Sequence, residues 1–276
     1  YCTCCSHPRK STKGKEMTHE ELRSIQKIQY RILCDTDDFL RLHGISYYLV
    51  YGTLLGAVRH QAVIPWDYDI DIAMTRDEFK KFQDVSKDFP ERYKISYVCY
   101  SAIDYAGLVR ISAENSPPHS TIDIFIIDNA KRNLCKIKRS FCRFLHIAKL
   151  SDEERGFIFR RFRNNRAKTF IVRLAEAYNR ARGSAKTEKR IFHMTVSGKK
   201  TGKLLMLEDI RHIFDNHLIE ATVDLRFGDR LFPAPSGYTE LLTMWYGDYM
   251  KIPPEGIEYL KEEEAENTLA MSRSPK

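Results

Sequence analysis

At 276 residues, 43% of them hydrophobic and 30% charged, the chain has the composition of a soluble globular protein with one large domain or two small ones. No apolar run approaches the roughly 20 residues of a membrane helix, and seven cysteines do not make a dense disulfide framework. The net charge of +8 is uneven, because residues 131–190 hold 19 Lys and Arg against 5 Asp and Glu, which leaves +14 there and −6 elsewhere.

The basic block of residues 131–190 could attract an anionic membrane surface, nucleotide phosphates or an acidic glycan. It could equally be the solvated face of helices. No recognised nucleic-acid-binding motif accompanies the charge, so we do not expect nucleic acid as a partner. Cys135, Cys142 and His146 fall near one helical face of this block, but their spacing is not that of a recognised zinc site, and a packed core is favoured over zinc.

Both ends of the chain are predicted to be tails around one domain. Residues 1–16 are polar and predict a disordered N-terminal tail, and residues 255–276 are acidic and then polar and predict a flexible C-terminal tail. The domain between them, residues 17–254, contains a basic helical insertion at 131–203. Its first helix begins with a capping box over residues 18–21. We expect this helix to pack on the first strand without contributing chemistry.

The stretch Tyr47–Met74 carries the first candidate site. It begins with a run suited to a buried strand, Tyr47–Tyr51, which Gly52 and Thr53 break before a short apolar helix over 54–58. Backbone N–H groups at a helix start attract anions, and glycine lets a phosphate come close. We therefore predict that Gly52 and Thr53 bind a phosphate of the substrate.

Three aspartates follow at alternate positions of a predicted second strand, with Ile70 and Ile72 between them: Asp67, Asp69 and Asp71. Side chains alternate along a strand, so the acids share one face and the isoleucines pack into the core. Carboxylates at this spacing repel, and a divalent cation removes the repulsion. We predict that the three acids bind Mg²⁺ or Mn²⁺. An EF-hand loop begins with the same spacing, but it needs glycine where this chain has Ile72.

A third catalytic acid is expected from a neighbouring strand. Asp123, inside the apolar run 121–128, fits this role as a metal ligand or as the base that accepts the acceptor proton. Arg110, in another predicted strand, could hold phosphate oxygens or form an ion pair with one of the acids. Arg59 and His60 are candidate diphosphate contacts, although Arg59 could instead lock onto a neighbouring acid.

Motifs near the two ends of the chain carry a resemblance to a known family. The segments YGTLLGAVRH and IPWDYDIDIAM, and then FPAP and LLTMWYGDYM, resemble the LicD/fukutin family of phosphocholine and ribitol-phosphate transferases. The likeness runs from about Leu22 to Pro254 and is weak between roughly 130 and 200. With the order of strand, turn, helix and acidic strand, it implies an α+β (mixed α/β) fold. Its core would be a small, mixed, nucleotidyltransferase-like sheet flanked by helices.

The resemblance also implies a reaction. It is the metal-dependent transfer of a phospho-substituent, phosphocholine or polyol phosphate, from a cytidine diphosphate (CDP)-linked donor to a sugar hydroxyl of a glycan or glycoconjugate. Asp69, Asp71 and Asp123 would be catalytic. Two alternatives stay open: a nucleotidyltransferase acting on a sugar or protein, and an inactive glycan-binding relative, against which the intact acid set argues. By analogy with eukaryotic relatives we expect the Golgi lumen and an anchor outside this sequence; bacterial relatives work in the cytoplasm.

Overall fold

The computed structural model describes residues 17–100, 105–134, 138, 140–142, 144–145, 166–207 and 209–273. The predicted tail at 1–16 lies outside these ranges. Helices and a mixed sheet make up the described part, so the predicted α+β class is confirmed. Among the described residues, no helix is both long and apolar enough to span a membrane.

Helices and strands alternate from α1 to β3, and two short 3₁₀ turns occur among the described residues. In chain order the elements are α1 (His19–Leu42), β1 (Tyr48–Leu49), α2 (Tyr51–Arg59), β2 (Ile70–Thr75), α3 (Arg76–Val85), β3 (Tyr93–Tyr100), β4 (Tyr105–Ala113), β5 (Thr121–Asn129), α4 (Arg166–Arg182), α5 (Ser184–Thr195), β6 (Lys203–Met206), β7 (Asp209–Asp215), β8 (Thr222–Phe227), β9 (Arg230–Pro235), α6 (Tyr238–Tyr246) and α7 (Pro254–Arg273).

The chain divides into two compact units. The first unit comprises the residues up to Ser96, then Arg110–Ile124, and then Leu218 onward; the second comprises Tyr97–Val109 and Phe125–His217. The second unit is therefore larger than the basic helical insertion predicted at 131–203. It includes β6 and β7 as well as parts of β3, β4 and β5, because those three strands run through both units.

The first unit is built on a sheet in the order β1-β2-β5-β4-β3. Strand β1 pairs antiparallel with β2, and Leu49 lies opposite Ile72. Ile70 and Ile72 are fully buried, as the alternation predicts. Helix α1 begins with the predicted capping box, in which the Thr18 hydroxyl accepts from the Glu21 N–H at 3.1 Å and the Glu21 carboxylate accepts from the Thr18 N–H at 2.9 Å.

The second unit has its own apolar core. Strands β5, β6 and β7 pair antiparallel, and Leu205 of β6 lies opposite Asp128 and Ile213. Cys142 is buried in a hydrophobic cluster with Leu145 and neighbours from β6 and α5. The other two members of the zinc alternative, Cys135 and His146, lie outside the described residues.

The C-terminal part of the first unit differs from the predicted tail. Residues 254–273 form helix α7, and Tyr259 on this helix is only 3% exposed. Its ring packs edge-on against His19, with ring centroids 4.4 Å apart. The flexible tail predicted for 255–276 is thus corrected over 255–273. The acidic composition that suggested a tail belongs to the exposed side of a packed helix.

Replacing Gly256 with alanine should destabilise the protein, because a methyl group at this position would lie 2.5 Å from the Trp66 ring. We expect a loss of about 1–3 kcal/mol in the free energy of unfolding, which urea denaturation would measure. Gly198→Ala is the matched control, since nothing lies within 4 Å of that position. Equal stability of the two variants would contradict the packing of α7 on Trp66.

Candidate active site

Helix α2 begins earlier than the sequence predicts. The expected strand 47–51 is reduced to Tyr48 and Leu49, and the helix starts at Tyr51, which has a positive φ of 48°. A non-glycine residue rarely adopts this conformation. The buried Tyr51 ring packs against Trp245, with centroids 4.6 Å apart, and this contact holds the turn. Gly52 and Thr53 therefore lie in the first helical turn rather than in a break before it.

The start of α2 lies beside Asp71 on β2. The Thr53 hydroxyl accepts a hydrogen bond from the Asp71 N–H at 2.7 Å, and the Val50 N–H donates to the Asp71 carbonyl at 3.3 Å. The first helical bond of α2 runs from the Leu54 N–H to Val50. N–H groups earlier in the helix have no partner within it, which favours an anion at this end. Phosphate binding by Gly52 and Thr53 stays a prediction.

The acidic segment is mostly a loop, not a strand. Strand β2 starts at Ile70, so Asp71 lies on it while Asp67 and Asp69 precede it. The prediction of three acids on one extended strand is therefore wrong for Asp67 and Asp69. Asp67 belongs to a turn, in which its N–H donates to the Ile64 carbonyl at 2.9 Å.

Two glutamines of α1 hold this loop in place. The Gln26 amide lies 2.6 Å from the Asp67 carbonyl and 3.2 Å from the carbonyls of Ile64 and Pro65. The Gln29 amide donates to the Tyr68 carbonyl at 2.6 Å and, on the segment that leads into β5, to the His119 carbonyl at 2.7 Å.

These side chains give α1 a positioning role that the sequence analysis does not include. Gln29 is fully buried, yet it interrupts the apolar row that includes Ile25 and Ile32. A buried polar residue in such a row needs a partner. That interruption is the signal in the sequence that could have identified this contact. We call the hydrogen bonds of Gln29 to the Tyr68 and His119 carbonyls the clamp.

The acids raise one another's pKa. Burial raises the pKa of Asp69 well above its ordinary value, and the charges of Asp67 and Asp71 raise it further. Burial likewise raises the pKa of Asp71, with added repulsion from Asp123 and Asp67. Burial raises the pKa of Asp67 to about 6, although neighbouring hydrogen bonds and Arg59 oppose the shift. Each of these acids therefore lies within electrostatic reach of at least one of the others.

Asp123 and Arg110 form the second half of the site. Asp123 projects from β5 between the buried Ile122 and Ile124, and Arg110 projects from β4. The guanidinium donates from Nε and from one terminal nitrogen to the two Asp123 oxygens, both at 2.7 Å. Arg110 therefore forms the ion pair with an acid that the sequence analysis gave as one of its two alternatives. The guanidinium charge also opposes part of the rise in the pKa of Asp71.

Arg59 and His60 lie at the end of α2. Arg59 donates to the Tyr249 carbonyl at 2.8 Å and lies within 3.3 Å of the Lys251 carbonyl, and its guanidinium stands 5.8 Å from the centre of the Trp66 ring. It thus fastens the segment after α6, a role that neither alternative of the sequence analysis includes. Burial lowers the pKa of His60, as does the Arg59 charge. Whether either residue contacts a diphosphate stays a prediction.

The atoms that could bind a metal ion at this site are carboxylate oxygens, which suit a hard divalent cation. One of them, the buried Oδ1 of Asp69, has no hydrogen-bond partner. Within the described ranges, no three or more His, Cys, Asp or Glu side chains form a group that could by themselves hold a metal ion. Mg²⁺ is commonly bound through one or two carboxylates, several waters and substrate phosphates. Asp69 and Asp71 could supply such a pair.

Comparison with known proteins identifies the domain. Residues 44–137 match the family model "LicD/FKTN/FKRP, nucleotidyltransferase domain". The chain is 29% identical over 265 residues to the lipopolysaccharide cholinephosphotransferase LicD of Haemophilus influenzae, covering 85% of this chain and 93% of that protein. An uncharacterised Rickettsia prowazekii protein is 33% identical over 103 residues, which are 37% of this chain and 34% of that protein.

A shorter match reaches an animal protein. The chain is 51% identical over 35 residues to the human ribitol 5-phosphate transferase FKRP. These 35 residues are 13% of this chain and 7% of that protein. The matched family domain spans α2, the acidic loop, Arg110 and Asp123. Residues 44–137 therefore match the nucleotidyltransferase domain of the LicD/fukutin family, in agreement with the resemblance seen in the sequence motifs.

Proposed function

We propose that the protein transfers a phospho-substituent, phosphocholine or a polyol phosphate, from a CDP-linked donor to a sugar hydroxyl of a glycan or glycoconjugate. The proposal rests on the electrostatic coupling of Asp69, Asp71 and Asp123 and on the hydrogen bond from Asp71 to Thr53 at the start of α2, in a segment that matches the LicD family model. Carboxylates that repel one another in the free protein are suited to a cation that arrives with a diphosphate. The relative that shares most of its length with this chain is a cholinephosphotransferase, which supports the same class of reaction.

Each group has a role that follows from its position. Asp69 and Asp71 hold Mg²⁺ or Mn²⁺, which when bound neutralises the diphosphate and the leaving cytidine monophosphate (CMP). The N–H groups of Gly52 and Thr53 at the start of α2 bind a phosphate oxygen. Arg110 keeps Asp123 oriented towards the other acids and offsets part of their charge. Asp123 accepts the proton of the attacking hydroxyl, while Asp67 shapes the loop.

A second function, nucleotidyl transfer to a sugar or protein, uses the same residues. The two reactions differ in which phosphorus the acceptor attacks. If the acceptor attacks the phosphorus that bears the small group of the CDP-linked donor, CMP is released. If it attacks the α-phosphorus of a nucleoside triphosphate, pyrophosphate is released. The glycan-binding alternative lacks a role for buried acids that raise one another's pKa.

The test is a screen of CDP-choline, CDP-ribitol and CDP-glycerol with Mg²⁺, with acceptor glycans present. Release of CMP together with a mass increase of the acceptor equal to the phospho-substituent is the expected result. Release of pyrophosphate from a nucleoside triphosphate would instead support nucleotidyl transfer. Glycan binding that needs neither metal nor nucleotide, without turnover, would overturn both enzymatic proposals.

A further inference from the structure

Helix α4 in the second unit exposes a continuous row of apolar side chains. Phe170 is 66% exposed and Leu174 is 51% exposed, and the exposed Ala177 and Ala181 extend the row along the helix. The spacing of four, three and four residues puts them on one side of the helix. Ile171, which is 45% exposed, widens the row. We call Phe170, Ile171, Leu174, Ala177 and Ala181 the apolar row.

The apolar row is not the side of α4 that faces the protein core. Val172 is 2% exposed and Ala175 is fully buried, and these two residues lie on the opposite side of the helix. The helix therefore has one apolar side that packs in the protein and another that faces solvent. Contiguous exposed apolar side chains of this kind mark interaction sites.

The surroundings of the apolar row are basic. Arg173 and Arg180 are exposed on the same helix, and the next helix, α5, exposes Lys186, Lys189 and Arg190. The sequence block 131–190 to which they belong carries +14. An amphipathic helix with apolar side chains on one face and arginines or lysines beside them binds in the headgroup region of anionic membranes.

We propose that α4 docks on an anionic lipid surface, with Phe170 and Leu174 inserted at the boundary between headgroups and acyl chains. Arg173, Arg180 and the lysines of α5 contact the headgroup phosphates. The charge favours a lipid over a protein occupant, because Arg173 and Arg180 border the apolar row on one side, the next helix exposes Lys186 and Lys189, and an anionic surface neutralises these charges together. The proposal concerns only the second unit and holds whatever reaction the first unit catalyses.

The test uses flotation of the full chain with vesicles of phosphatidylcholine alone or mixed with phosphatidylglycerol. We expect binding to the mixed vesicles, weakened when the salt concentration rises from about 0.1 M to about 0.5 M. The Phe170→Gln/Leu174→Gln double variant should bind at least about tenfold more weakly, because it loses the inserted apolar area while glutamine preserves helix propensity. Arg173→Gln should weaken binding about fivefold.

The matched control is Leu42→Gln/Ile257→Gln, which removes two exposed apolar side chains, 81% and 45% exposed, from helices outside the basic block. This control should bind vesicles like the parent. A Phe170→Trp variant should show a blue shift of tryptophan emission with mixed vesicles. Equal vesicle binding by the Phe170→Gln/Leu174→Gln variant and the parent would overturn the proposal. So would self-association of the parent that this variant abolishes, with no vesicle binding, since a second copy would then cover the row.

Discussion

Replacing Asp71 with asparagine is expected to lower turnover by about a thousandfold or more while raising the melting temperature of the metal-free protein. In the proposed mechanism, the activity falls because the cation would lose a carboxylate ligand. The stability rises because the pKa of Asp71 is raised by burial and by Asp123 and Asp67, so its charge opposes folding. Asparagine keeps the shape, and its backbone N–H still donates to Thr53. We expect an increase of at least about 2 °C.

The control for this variant is Asp77→Asn on α3, where the carboxylate is 79% exposed and contacts Lys80 at 3.5 Å. It should change neither turnover nor melting temperature by much, since exposed ion pairs contribute little. Normal activity of Asp71→Asn would refute the role of this carboxylate in metal binding. A lower melting temperature with normal metal dependence would instead show that the acids stabilise the fold.

The same electrostatics predicts how stability depends on pH. Burial raises the folded-state pKa of Asp67 from 3.8 to about 6, so between these values the folded protein binds more protons than the unfolded chain. The free energy of unfolding of the metal-free protein should therefore fall as pH rises from about 4 to about 6, by at most about 3 kcal/mol from this group. Thermal melts at several pH values would measure it, and Asp67→Asn should flatten the slope.

Replacing Gln29 with methionine is expected to lower the turnover number about a hundredfold and to destabilise the protein by about 2–4 kcal/mol. The buried Gln29 amide donates to the carbonyls of Tyr68 and His119, and methionine fills the volume without donating. The buried Oε1 of Gln29 has no hydrogen-bond partner, so no acceptor contact is lost. Without the clamp, the loop that carries Asp67 and Asp69 can shift relative to the segment that leads to Asp123.

A control variant separates the effect of Gln29 on the position of the acidic loop from its effect on stability. Ile32→Met, at a fully buried position one turn further along α1, changes core packing but removes no hydrogen bond to the acidic loop, because isoleucine has no polar side-chain atom. Assayed well below their melting temperatures, Gln29→Met should need more Mg²⁺ for half-maximal turnover and Ile32→Met should not. If Gln29→Met loses stability but keeps the metal dependence and turnover of the parent, the clamp has a purely structural role.

Local signals in the sequence predict much of the framework. The capping box at Thr18 and Glu21 agrees with the structure. Strand β5 extends the predicted run 121–128 by one residue. These features depend on neighbouring residues and on hydrophobic periodicity, which a single sequence contains.

The remaining features depend on contacts between distant residues. The start of β2 is set by Gln26 and Gln29, whose partners lie about forty or more positions away. The contact of Arg59 with Tyr249 spans 190 positions. Helix α7 is held by His19 and Trp66 rather than by its own periodicity. Tertiary contacts of this kind override local preference, so periodicity alone misplaces the acids and treats the last helix as a tail.

The Arg59 guanidinium also links two of the sequence motifs that resemble the LicD/fukutin family. One motif ends near Arg59 and the other contains Tyr249, and their hydrogen bond makes these remote segments neighbours in space. Insertions or deletions within residues 125–217, which lie between these segments in sequence and belong to the second unit, should leave this contact in place. The second unit can therefore vary in length while the segments that frame the proposed site stay together.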